Sequence, residues 1–171
     1  VINNYDRITA ASQKLLYRWL MDAPVDQDTL ALFRMLDLLK DPVYLDDNCI
    51  LRLYETAAYY RARLYIPDDA IDILHEMKKY LFKHPSAYYL SAYHRAMAII
   101  LHNANRDQRK CISHEDKAIA AARISKHPEA KKQLAACLLD KARTLMSAEM
   151  DQSQVRKLVQ EAGVIVPLCT E

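Results

Sequence analysis

Residues 70–85 read AIDILHEMKKYLFKHP, and this stretch holds the two features that decide the fold. Apolar side chains recur in it every three or four residues, as they do on the buried face of an amphipathic α-helix; they are Ile71, Leu74, Met77 and Leu81. The stretch stops at Pro85, and proline cannot continue a helix because it lacks the backbone N–H and its ring clashes with the preceding turn. It therefore predicts a helix that buries one face and ends just before a proline.

This ending recurs along the chain with a fixed period. Pro42, Pro85 and Pro128 are 43 residues apart, and Pro24 and Pro67 form a second series with the same spacing. Two interleaved series with one period predict internal structural repeats.

The residues next to these prolines repeat as well. Lys-His-Pro occurs at residues 83–85 and again at 126–128, and Lys-Asp-Pro occurs at 40–42. The residue four positions before each proline is apolar, namely Leu38, Leu81 and Ile124. We expect these three side chains to occupy one repeat position and to be buried between helices.

Each period divides into two helices joined by a turn, so we predict an all-α fold of antiparallel helix hairpins, with about eight helices. The hairpins are expected at about 3–42, 43–85, 86–128 and 129–163, within one helical-repeat domain over residues 1–171. Ser113 with Asp116 resembles a capping box and predicts the start of the third hairpin's second helix. Gly163 predicts the end of the last helix, because glycine readily takes the left-handed conformation of a helix C-terminus.

The composition argues against catalysis. Gly163 is the only glycine, whereas phosphate-binding loops and dinucleotide-binding fingerprints need several glycines for tight turns and close backbone approach. The adjacent acids Asp46-Asp47 and Asp68-Asp69 fall at expected helix starts, where carboxylates complement the helix dipole. We predict a protein that is not an enzyme and that has no cofactor.

A metal site is not predicted. Cys111 and His114 have a C-x2-H spacing, but no second pair with ligand spacing accompanies them, and a structural zinc site needs four ligands. His84 and His127 occupy equivalent positions before prolines, which favours a structural role at helix ends.

Other features bear on location. The four cysteines form no CxxC pair, which favours reduced thiols. No apolar run is long enough to span a membrane. We expect a cytoplasmic protein with no membrane contact. Because the chain begins with Val1 rather than Met, we also expect it to be a fragment of a longer protein.

Hairpins that close on a proline, as in Ala70–Pro85 and Ala118–Pro128, resemble tetratricopeptide repeats. The resemblance covers nearly the whole chain, but the W-x2-L-G-x2-Y pattern is absent and the period exceeds the usual length of about 34 residues, so HEAT-like repeats fit equally. Longer glycine-poor arrays of this kind resemble the repeat domain of bacterial MalT-type transcription regulators. The resemblance implies a right-handed superhelix that acts as a non-catalytic scaffold and binds a protein or peptide in a concave groove.

Tyrosine marks the expected groove, since nine of the 11 tyrosines lie between Tyr44 and Tyr93. First helices of the hairpins line the concave surface in the tetratricopeptide family, and tyrosine and arginine suit binding surfaces. The candidate partner-binding residues are Tyr54, Tyr59, Arg61, Tyr89, Tyr93 and Arg95. The alternative is that many of these rings wedge helices together, because Tyr89, Tyr93, Met97 and Ile100 form one continuous helical stripe.

Two other functions remain open. One is an effector-sensing or oligomerisation domain of a transcription regulator, which includes possible self-association. The other is nucleic-acid binding through residues 106–143, which contain 10 basic and 5 acidic side chains. Nucleic acid is the less favoured partner, because no recognised nucleic-acid-binding motif accompanies this charge.

Overall fold

The structure, a computed structural model, describes residues 46–63 and 66–166. These residues form six α-helices and no strand, which confirms the predicted all-α class for the described part of the chain. The helices are α1 (Asp47–Arg63), α2 (Pro67–Lys83), α3 (Ala87–Asn103), α4 (Gln108–Ile124), α5 (Ala130–Ser147) and α6 (Gln152–Ile165). The hairpin predicted at 3–42 lies outside the described residues. None of the six helices is both long enough and apolar enough to cross a membrane.

The chain divides into two compact units, residues 1–84 and 85–171. In the first unit α1 packs against α2. In the second unit each helix packs against the next one along the chain, and α3 also contacts α5. Helix α4 is therefore covered on two sides, by its own hairpin partner α3 and by the following helix α5.

Hydrogen bonds between α3 and α4 give their relative direction. The Ser91 hydroxyl donates to the Ala118 carbonyl at 2.8 Å, and the Cys111 thiol donates to the Ala98 carbonyl at 3.3 Å. A contact further along α3 is thus made to an earlier residue of α4. The two helices are antiparallel, as predicted for a hairpin.

Contacts between α3 and α5 show the opposite relation, since their order is the same along both helices. Ser91 meets Cys137 and Arg95 meets Asp140, so both members of each pair advance together along the chain. The first helices of these two hairpins are therefore parallel.

The repeat period depends on the loops. Helix α5 begins 43 residues after α3, as the prolines predict, but α3 begins only 40 residues after α1. Helices α1 to α4 all contain 17 residues. The difference arises because the loops before α2 and α3 are shorter than those before α4 and α5.

Because the loops differ in length, the expected repeat position of Leu38, Leu81 and Ile124 needs a correction. Leu81 is buried, at 6% exposure, but Ile124 is 74% exposed, so the prediction is wrong for Ile124. Helix α4 begins 41 residues after α2, and the structural counterpart of Leu81 is therefore Ala122, which is 3% exposed. Leu38 lies outside the described residues.

Two predicted helix ends are also wrong. Helix α4 begins at Gln108, well before Ser113, because the Asp107 carboxylate accepts hydrogen bonds from the backbone N–H groups of Arg109 and Lys110, at 3.0 and 3.3 Å. Gly163 lies inside α6, which continues to Ile165.

The loops before α4 and α6 share a motif that the sequence analysis missed. In each loop a non-glycine residue with positive φ stands two positions before an aspartate cap: Asn105 (φ 50°) before Asp107, and Glu149 (φ 53°) before Asp151. The first residue turns the chain out of one helix, and the aspartate starts the next.

Leu81 and Ile124 provide a matched test of the corrected register. We expect Leu81→Ala to lower the free energy of unfolding by about 2–5 kcal/mol, because it removes a buried side chain. Ile124→Ala is expected to change it by less than about 0.5 kcal/mol. Urea denaturation followed by circular dichroism measures both. A large loss for Ile124→Ala would contradict its exposed position.

Candidate functional site

The predicted groove tyrosines lie mostly in the core. Tyr59, Tyr89 and Tyr93 are buried, as the core-wedge alternative expects, and Tyr54 is half-buried with its ring centroid 6.4 Å from that of Tyr80. Burial leaves little of the first three rings for a ligand to contact.

The remaining candidates are the two arginines. Arg61 is in the last turn of α1 and is half-buried, while Arg95 on α3 is engaged by an acidic side chain of α5. Tyr54, Tyr59 and Arg61 belong to the first unit, and Tyr89, Tyr93 and Arg95 to the second. A groove that combines the two sets stays a prediction.

Arg95 is part of a short chain of charges on the second unit. Its Nε donates to Asp140 Oδ2 at 2.7 Å, and Arg143 Nη2 donates to Asp140 Oδ1 at 3.1 Å. The carboxylate of Asp140 is mostly buried and therefore lies between two guanidinium groups, one from α3 and one from α5. This arrangement orients Arg143 at the surface and ties α5 to α3.

The solvent-facing side of α5 carries an apolar stripe flanked by cations. Leu139 and Met146 are 46% and 57% exposed, and they lie seven residues apart on one helix face together with Lys132 and Arg143. We call these four residues the α5 stripe. The opposite side of α5 is buried, through Leu138, Ala142 and Leu145 among others. The stripe therefore presents large apolar side chains that no other described helix covers.

Behind the stripe, α4 and α5 share a buried polar cluster. Thr144 Oγ1 donates to Glu115 Oε1 at 2.6 Å, and the Cys111 thiol contacts the same oxygen at 3.8 Å. Glu115 Oε2 is buried and has no hydrogen-bond partner. Nearby, Lys141 pairs with Asp116, which again joins α5 to α4.

Burial governs the protonation of this cluster. Desolvation raises the pKa of the Glu115 carboxyl, and the charge of Asp140 adds to the effect, while the Thr144 hydrogen bond opposes it. Burial also raises the pKa of the Cys111 and Cys137 thiols to about 11. Both thiols are therefore protonated at neutral pH, and the cluster supplies no activated nucleophile.

A separate clasp joins the ends of α1 and α2. The Tyr80 hydroxyl donates to Asp47 Oδ1 at 2.5 Å, His84 Nδ1 lies 3.1 Å from Asp47 Oδ2, and the His84 and Tyr80 rings stack at 4.4 Å. Burial and the hydrogen bond to Asp47 raise the pKa of Tyr80. Asp47 is in the first turn of α1, where its charge interacts favourably with the helix dipole, and His84 is the C-cap residue of α2. The predicted helix-end role of His84 is confirmed.

His127 also packs at a helix end, with different contacts. Its ring stacks on Tyr88 at 4.0 Å, and its Nδ1 accepts a hydrogen bond from the backbone N–H of Glu129 at 3.1 Å. The ring thus closes the loop that leads into α5.

The basic segment 106–143 is partly neutralised by the fold. At least five of its ten basic side chains form ion pairs with acids of the same unit: Lys110, Arg123, Lys132, Lys141 and Arg143. Lys141 is also buried. These pairs leave fewer cations for phosphate contacts than the sequence suggests, which weakens the nucleic-acid alternative.

Comparisons of the chain with protein-family models, curated proteins and solved structures found no match. The tetratricopeptide and MalT-type resemblances therefore stay predictions.

Sequence reasoning missed the α5 stripe and Glu115. The signal for the stripe is present, since Leu139 and Met146 recur seven residues apart, each one position after a buried leucine, Leu138 or Leu145. No local signal marks Glu115, because its burial depends on α5.

Replacement of Glu115 by glutamine tests how much the buried, ionised carboxyl lowers the stability of the fold. A raised pKa means that the folded protein favours the protonated acid, so its stability falls as the pH rises from the usual value of 4.5 through the raised pKa. Glu115→Gln removes this loss. We expect a higher melting temperature than wild type at pH 7, with a difference that shrinks towards pH 4.5.

Glu161→Gln is the matched control, because Glu161 is a half-buried surface acid that pairs with Arg123 at 2.7 Å. It is expected to change the melting temperature little at either pH. A Glu115→Gln protein less stable than wild type at pH 7 would show that the carboxylate gains more from Thr144 and Lys141 than it loses by burial.

Proposed function

We propose that the chain is a non-catalytic helical-repeat scaffold that binds a protein or peptide segment, and that the α5 stripe is its contact surface. In this proposal the whole chain forms a right-handed, tetratricopeptide-like superhelix of about eight helices. The partner is an acidic amphipathic helix.

The packing of the second unit supports the scaffold part of the proposal. Hairpin partners α3 and α4 are antiparallel, whereas α3 and α5, the first helices of successive hairpins, are parallel. Stacked hairpins of a repeat array have this relation. Since first helices line the concave surface in the tetratricopeptide family, α5 would present its stripe on that side.

The exposed stripe is the observation that carries the choice of site. Leu139 and Met146 are large apolar side chains on a helix whose other side is buried, and methionine adapts its shape to a partner. An amphipathic helix buries such side chains by laying its own apolar residues against them.

The charges of the stripe select the class of partner. Lys132 and Arg143 lie on the same face as the apolar residues, and Lys132 forms an exposed ion pair with Glu129. Asp140, which lies beside it, is turned inward and neutralised by Arg95. The three cations here outnumber the two acids they pair with, so the surface keeps a net positive charge, which favours association with an acidic residue.

The test begins with a phage-displayed library of amphipathic helices that vary in charge. We expect selection on the protein to enrich acidic members. A selected peptide is labelled with fluorescein and titrated with each protein. It should bind the Leu139→Ser, Met146→Ser double variant at least about tenfold more weakly than the wild type, a loss of about 1.4 kcal/mol in binding free energy.

Ile124→Ser is the control, because Ile124 is an exposed apolar side chain outside the stripe. It should leave the affinity unchanged. Since Leu139 and Met146 are exposed, the melting temperature should stay close to wild type in the double variant. Enrichment of basic peptides, or equal affinity for wild type and the double variant, would overturn the proposed site.

A further inference from the structure

Two histidines face each other across α3 and α4. The Nδ1 atoms of His94 and His114 are 2.9 Å apart, and the ring centroids are separated by 5.1 Å. Both side chains are half-buried. We propose that this pair chelates a divalent transition-metal ion, of the copper, nickel or zinc class, through the two Nδ1 atoms.

The separation of the two nitrogens fits chelation. Metal–imidazole bonds measure about 2.0–2.1 Å, so two nitrogens 2.9 Å apart subtend an angle of about 90° at a shared ion. That is the angle between neighbouring ligands in square-planar and octahedral complexes, which copper(II) and nickel(II) adopt. A tetrahedral zinc ion needs a separation of about 3.3–3.4 Å, which is longer than the separation in this structure, so the pair fits copper(II) and nickel(II) better.

The surroundings hold the pair in place. Tyr93 is buried, and its ring meets both imidazoles edge-on, with centroid distances of 4.8 Å to His94 and 6.3 Å to His114. Helices α3 and α4 are joined by hydrogen bonds from the Ser91 and Cys111 side chains to backbone carbonyls of the other helix. A ligand pair positioned before binding loses little conformational entropy when the ion arrives.

The described residues supply two protein ligands to the site. Cys111 lies one turn before His114 but donates its thiol hydrogen to the Ala98 carbonyl. Among the residues the structure describes, no three histidine, cysteine or acidic side chains converge on one point. Water completes the coordination shell, and because imidazole ligands follow the Irving–Williams order, copper(II) binds more tightly than nickel(II) or zinc.

A shared proton is the competing explanation. One neutral imidazole can donate its Nδ1–H to the other, which gives the same separation without a metal. The same two nitrogens hold the proton or the ion, so the two states exclude each other. Metal binding must therefore weaken as the pH falls and the imidazoles become protonated.

Thermal melting with and without metal distinguishes the two explanations. Because the ion joins α3 to α4 only in the folded state, we expect copper(II) or nickel(II) in excess over its dissociation constant to raise the wild-type melting temperature by at least about 3 °C at pH 7.5, compared with the same sample in EDTA. The rise should disappear at pH 5.

Variants locate the effect. His94→Gln and His114→Gln should each abolish the rise, whereas His75→Gln, which replaces an exposed histidine on α2, should retain it. Electron paramagnetic resonance of the copper(II) complex should show coupling to two nitrogens in wild type. No rise with any of the three ions, or a rise that survives His94→Gln or His114→Gln, would overturn the proposal.

A measurement on the wild type covers the case in which a variant fails to fold, as judged by circular dichroism. Zinc is titrated into the wild-type protein while the imidazole nitrogens are followed by NMR. Binding should shift the Nδ1 signals of both His94 and His114. Unchanged signals for this pair would equally overturn the site.

Discussion

Ser91 occupies the point where three helices of the second unit meet, and the packing of that unit depends on it. Its side chain is fully buried; the hydroxyl donates to the Ala118 carbonyl of α4 and lies 3.6 Å from the Cys137 thiol of α5. A small side chain lets the helices approach closely, and the hydrogen bond to Ala118 satisfies the buried hydroxyl. A larger residue would separate α3 from both neighbours at once.

Polar contacts on either side of Ser91 set the register of the same helices. Glu115 meets Thr144 between α4 and α5, and Arg95 meets Asp140 between α3 and α5. Buried polar pairs add little net stability, but a shift of one residue would leave each of them unpaired. They therefore favour a single alignment of the hairpins, and this alignment gives the α5 stripe and the His94–His114 pair their geometry.

The two proposed sites use different parts of this framework. The α5 stripe is a solvent-exposed helix face and suits a helical partner, whereas the histidine pair lies between α3 and α4 and suits a small ion. Arg95 links the framework to the stripe through Asp140 and Arg143. In the proposed scaffold Arg95 would orient Arg143, whereas the sequence analysis expected Arg95 to contact the ligand, and that expectation stays a prediction.

Local pattern in the sequence determined the helices and their buried faces. Leu74, Met77 and Leu81 are buried as their spacing predicts, because helical periodicity is a property of neighbouring residues. Only the structure showed that Ala122 rather than Ile124 is the counterpart of Leu81, because the loops between the helices differ in length. It also decided which tyrosines are buried and which distant side chains meet, such as His94 with His114. Such contacts depend on how whole helices pack, and this packing cannot be predicted from the spacing of residues along the chain.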